Sequence, residues 1–159
     1  MRLLDVNFRE NYRSYLFQSA LAGLALFVVL LFLSISRHAV IIAALGSTAF
    51  IVFATPSSHS ARFRNVVGGH AVGIFSGFLG SLNATGGGAH VLALAYSLAV
   101  ALAVFLMVVT DTEHPPAAGT ALGIAVAGFS VELGVFTLLS AFVLSMTHRI
   151  LRPWLRDLT

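Results

Sequence analysis

Charge is confined to the breaks between apolar runs, and this constrains the chain more than any other feature. Six runs, 15–36, 39–55, 66–82, 90–110, 117–131 and 133–147, contain no Asp, Glu, Lys or Arg. Charged residues make up 9% of the sequence, against about 25% in soluble domains, so water is the wrong solvent for this surface. A helix needs about 20 apolar residues to cross the hydrocarbon. The first and fourth runs reach that length, the second and third are marginal, and the last two are shorter still. The expectation is all-α: an integral membrane helical bundle of about six short transmembrane segments over 15–148. An amphipathic N-terminus (1–14) precedes it and a basic tail (149–159) follows.

All nine cations are arginines, and their placement selects a topology. Six crossings from a cytoplasmic N-terminus put Arg2, Arg9, Arg13, Arg62, Arg64, Arg149, Arg152 and Arg156 inside and only Arg37 outside. Re-entrant second and fifth runs would move Arg62 and Arg64 out, against the positive-inside rule. Both termini are therefore expected in the cytoplasm, at the inner (plasma) membrane of a bacterial cell. The arginines form no stripe with aromatic residues, so the basic balance predicts no nucleic-acid partner. The lipid bilayer is the expected surroundings, with a homo-oligomer (dimer or trimer) as the assembly. Cysteine is absent, which excludes disulfides, thiolate zinc sites and cysteine nucleophiles. No metalloprotease, nucleotide-loop or intramembrane serine-protease motif is present, so neither an enzyme nor a cofactor is expected, and no residues have metal-ligand spacing.

Each half of the chain has a long run, then a short glycine-bearing one, then a third, a pattern of two inverted three-segment repeats. The short runs carry Gly46-Ser47-Thr48 and Gly119-Thr120. Interrupted segments in matching positions of two halves point to a transport site. In the third run Gly69, Gly73 and Gly77 recur every four residues with Gly80 near the same face, which suits backbone-to-backbone helix packing. His70 lies in that stripe, either as a functional group or as a neutral histidine bonded to a carbonyl. His38, His59, His90 and His148 fall at segment ends and are expected to face headgroups.

The densest polar stretch is Thr110-Asp111-Thr112-Glu113-His114-Pro115-Pro116-Ala117-Ala118-Gly119-Thr120. Proline belongs in the first helical turn, and small residues behind it leave N–H groups open to an anion. The plainer reading is a corner joining two helices. His114-Pro115-Pro116, followed by Thr120-Ala121-Leu122, resembles the signature of the HPP family of integral membrane proteins. Pro56 and Arg64-Asn65-Val66-Val67-Gly68-Gly69-His70 strengthen the likeness, which covers roughly 40–148. The resemblance implies a four-helix membrane protein carrying a small inorganic anion, nitrite in plant members. The chain departs from the pattern at Ala117, where glycine is common, and at Asp111, where a basic residue is expected.

The function expected is a transporter or channel for such an anion, with its site near the starts of the second and fifth segments; the alternative is a non-transporting membrane scaffold. The substrate-binding candidates are Ser47, Thr48, His114, Pro115, Pro116, Gly119 and Thr120. Proton-coupling candidates are His114, Asp111, Glu113 and His70, with Arg62, Arg64 and Asn65 at a cytoplasmic mouth.

Overall fold

A computed structural model describes residues 8–31, 39–84 and 88–158. The expectations for Arg2, Arg37, His38 and the end of the first run (32–36) lie outside the described residues. Six helices follow one another: α1 Phe8–Leu30, α2 Ala39–Ala54, α3 Phe63–Asn83, α4 Ala89–Val109, α5 Pro116–Ala127 and α6 Val131–Leu151. Single 3-10 turns lie at His59–Ala61 and Arg152–Trp154.

Among the described residues four helices, α1, α3, α4 and α6, are long and apolar enough to cross a membrane. α2 and α5 have 16 and 12 residues, so they extend about 24 Å and 18 Å, short of the roughly 30 Å hydrocarbon. Three expected boundaries are corrected. α1 begins at Phe8, inside the stretch taken for a separate N-terminus, and bends at Asn11. α5 stops at Ala127 because Gly128 adopts φ +82°, a left-handed value that glycine tolerates. α6 is a full-length helix of 21 residues. It starts at the cap Ser130, whose hydroxyl accepts from the Leu133 N–H, and it continues past His148 into residues assigned to the tail.

Contacts between distant residues show which helix ends share a face. Tyr15 Oη donates to Leu158 O, and the Leu158 N–H donates to Ala54 O. The buried Gln18 amide donates to Phe53 O and Arg156 O and accepts from the Arg156 N–H. Arg64 reaches Asp111 and Thr110 O. The N-terminal part of α1, the C-terminal part of α6, the α2–α3 turn and the α4–α5 turn therefore gather at one end of the bundle. Successive helices alternate in direction. Both halves are long–short–long and run oppositely, the arrangement of an inverted repeat, and α2 and α5 pack antiparallel, with Gly119 on Ala44 and Gly123 on Ile41.

The glycine stripe of α3 packs along α5, and the two helices run parallel. A Cβ at Gly69 would lie 2.7 Å from His114 Cβ, and one at Gly77 2.6 Å from Ala121 O. Gly80 abuts Ala99 of α4 in the same way. Only hydrogen fits at these positions, so the backbones meet directly. The outer helices face lipid: 17% and 22% of the central apolar stretch is buried in α1 and α4, against 44% in α3 and α6.

α4 ends in a turn that sets up the next segment. The Thr112 N–H donates to Met107 O and the Asp111 N–H to Val108 O, the paired bonds of a Schellman motif. Asp111 takes the left-handed position, φ +54°, where glycine is usual and Asp or Asn is tolerated. The turn brings Glu113, His114 and the two prolines back over the start of α3.

Candidate functional site: a buried histidine–threonine relay

The centre of the bundle is polar. His70, His114, Thr48 and Thr120 have no exposed surface, although they come from α3, the α4–α5 turn, α2 and α5. Thr48 Oγ1 lies 2.9 Å from His70 Nε2 and 3.0 Å from His114 Nε2, and also 3.0 Å from Ala44 O. Beyond the histidines, His70 Nδ1 is 2.9 Å from Thr120 Oγ1 and His114 Nδ1 is 2.8 Å from Ser60 O.

Hydrogen counting orders these bonds. A carbonyl only accepts, so His114 Nδ1 carries a hydrogen for Ser60 O. In a neutral His114, Nε2 is then an acceptor, and the Thr48 hydroxyl donates to it. His70 satisfies Thr48 by donating from Nε2, and Thr120 donates to His70 Nδ1. Every group in this neutral chain from Thr120 to Ser60 is bonded. Adding one proton requires only that the Thr48 hydroxyl turn to Ala44 O. Both Nε2 atoms then donate to Thr48 Oγ1, and His114 becomes an imidazolium. The geometry therefore has hydrogen-bond positions for zero or one extra proton with no displacement of heavy atoms. An added charge at this depth is costly unless a counter-charge accompanies it.

The structure joins some expected site residues and separates others. Thr48, His70, His114 and Thr120 converge, uniting the two sequence motifs around one hydroxyl. Ser47, Pro115, Pro116 and Gly119 line a neighbouring cleft of about 510 Å³ between α2 and α5, and the Ser47 hydroxyl is held by Ala43 O. Ala44 borders the cleft and accepts from Thr48 behind it.

Four expectations need correction. The starts of α2 and α5 lie apart, because the helices are antiparallel; the C-terminal half of α2, at Thr48, meets the start of α5. The donors at that start are not open, since the Ala117 N–H bonds His114 O and the Ala118 N–H bonds Pro115 O, while prolines offer none. Nor do Arg62, Arg64 and Asn65 form one mouth. Arg64 pairs with Asp111 at 3.0 Å, the buried Asn65 donates to Glu113 O, and Arg62 lines a different cleft with residues of α6. His148 is also buried and lies within reach of Pro56 O at 3.2 Å, so it does not face headgroups.

One part of the site left no linear signal, and a second was marked only by Asp111 and Glu113. The Ser60 carbonyl ends the relay, and no side-chain pattern marks a backbone acceptor. Beside it, His59 Nε2 lies 3.5 Å from both Asp111 Oδ1 and Glu113 Oε2, forming a half-exposed titratable rim. One ring nitrogen of His59 and one carboxylate oxygen each of Asp111 and Glu113 lie within 4.8 Å of one another, and Arg64 already engages Asp111 Oδ2.

Fold and centre together define a polytopic helical membrane protein whose polar core is shared by helices from both halves. Residues 7–152 match the family described as HPP, transmembrane region, and the chain belongs to that family. No curated protein and no solved structure matches it.

Proposed function

We propose that this chain carries a small inorganic anion across the membrane together with a proton, with nitrite as the substrate suggested by family resemblance. The observation that carries this reading is the Thr48 hydroxyl placed between two buried histidines. A relay that accepts one proton at a buried position favours an anion beside it, because each charge offsets the desolvation of the other. Nitrite is the base of a weak acid, so a proton and a nitrite cross together without net charge. The anion would approach along the α2–α5 cleft, past Ser47, Pro115, Pro116 and Gly119. The proton would enter from the rim of His59, Asp111 and Glu113. The arginine-rich end would be cytoplasmic.

In this reading the chain is a carrier and not an enzyme, and it uses no cofactor. The cleft opens outward past Phe50, which is 58% exposed. A second or third copy would wall it from lipid, giving the dimer or trimer. The rival reading, a non-transporting scaffold, draws on the complete burial of the relay and on the glycine seams, which serve assembly equally well.

Proteoliposomes separate the two. Nitrite uptake above protein-free vesicles should rise with external acidity, and His70→Gln should lower it at least tenfold while leaving the oligomer intact. Uptake equal to that of protein-free vesicles, with nitrite, nitrate, formate and chloride each tried, would establish the scaffold.

A further inference from the structure

A second cleft, of about 390 Å³, lies at the arginine-rich end of the bundle. It sits on the α6 side of α3, whereas the histidine relay lies on the α5 side. Arg62, the residue capping the start of α3, lines it from one edge, and Arg149 and Arg152 from the end of α6 line it from the other. Among the described residues none of these three arginines is in an ion pair; the pairs present join His59 and Arg64 to Asp111 and Glu113. Asp157 accepts from the Ser57 N–H beside the cleft. The Ser58 hydroxyl oxygen in the cleft wall is buried and has no hydrogen-bond partner. His148 forms part of the wall and is fixed on Pro56 O.

Three unpaired guanidiniums and a spare hydroxyl donor suit the oxygens of a phosphate, which arginine binds in paired bonds. The cleft is far larger than a triatomic anion requires. It includes Phe63, whose ring packs edge-on against Phe142, an apolar flank beside the charges. Trp154, 68% exposed, lies two residues past Arg152, and tryptophan marks the headgroup level of a bilayer. Basic pockets between helices at that level bind anionic headgroups.

We propose that this cleft is a binding site for a phosphate-bearing anion, the headgroup of an anionic membrane lipid, held by Arg62, Arg149 and Arg152 with Ser58 as an added donor. The site is independent of the transport reading. Its ligand neutralises the arginines at the start of α3 and at the end of α6.

Thermal unfolding of the full chain in a neutral detergent tests it, with phosphatidylglycerol, phosphatidylcholine or inorganic phosphate added. Phosphatidylglycerol should raise the melting temperature by several degrees and phosphatidylcholine should not. Arg62→Gln and Arg152→Gln should each remove most of that rise. Arg13→Gln, which deletes an equal charge from the same end of the bundle, should keep it. An equal rise from phosphatidylcholine, or a rise that survives Arg62→Gln and Arg152→Gln, overturns the site. A rise from inorganic phosphate alone, lost in the same variants, supports the phosphate site and overturns its lipid source.

Discussion

The rings of His70 and His114 lie 5.2 Å apart, and both direct Nε2 at the same hydroxyl, that of Thr48. A single hydroxyl hydrogen cannot serve both rings, so the protonation of each ring depends on the direction in which the other bonds. They form one coupled group.

Thr48→Val retains the shape of the side chain and removes that hydroxyl. The His70 N–H and the His114 acceptor then lose a buried partner, at a cost of about 1–3 kcal/mol for each unsatisfied group. A lower melting temperature in detergent and loss of acid-stimulated nitrite uptake are expected. Thr48→Ser should restore most of both. Equal behaviour of the Val and Ser variants would remove the hydroxyl from the mechanism.

The α3–α5 seam predicts a contrast between glycines. A side chain at Gly73 runs into the Ala117 carbonyl, whereas nothing lies within 4 Å of a Cβ at Gly23. Gly73→Leu should destabilise by at least the roughly 1–3 kcal/mol of an overpacked core and separate α3 from α5. Gly23→Ala should be neutral or slightly stabilising, since it improves helix propensity. Thermal unfolding and the elution profile of the two variants provide the comparison.

Asp111 combines a backbone role with a charge, and substitution separates them. Its pair with Arg64 is about 60% exposed on both sides, and such pairs are worth about 0–1 kcal/mol. Its left-handed backbone costs a β-branched residue more, about 1–2 kcal/mol. Stability should therefore follow Asp ≈ Asn ≈ Gly, with Val clearly lower. A large loss in Asp111→Asn would mean that the ion pair, and not the turn, holds the α4–α5 connection.

Topology can be read with single cysteines, because the chain has none of its own. Ser57 is exposed at the arginine-rich end, and Gly88 lies at the other end with open space around it. In intact cells a membrane-impermeant maleimide should label Gly88→Cys and leave Ser57→Cys unlabelled until the membrane is permeabilised. The reverse pattern would invert the orientation.

Much of this was legible in the residues. The α3 glycines announced a backbone seam by their spacing, and His114-Pro115-Pro116 marked a helix start at the polar centre. What escaped was three-dimensional. Nothing in Leu45-Gly46-Ser47-Thr48-Ala49 ranks Thr48 above Ser47, and only the rotation of α2 sends one hydroxyl inward and the other to the cleft. The fifth and sixth runs read as equal halves because Gly128 is one small residue among several. Its left-handed backbone is the reason α5 has 12 residues and α6 has 21. Arg62 and Arg64 are two positions apart, but Arg62 is the extended cap before α3 and Arg64 lies in its first turn, so the two face different neighbours.

The shortness of α5 bears on how the protein is made. A segment of about 18 Å leaves the insertion machinery unable to span the bilayer alone, and its backbone is covered by α3 on one side and by α2 on the other. It is expected to enter as a hairpin with α6, into a groove formed by α2, α3 and α4. Assembly is thereby ordered by the direction of synthesis: His70 and Thr48 wait in the membrane until the ribosome delivers His114, and a chain arrested before α6 is complete would leave both without their third partner.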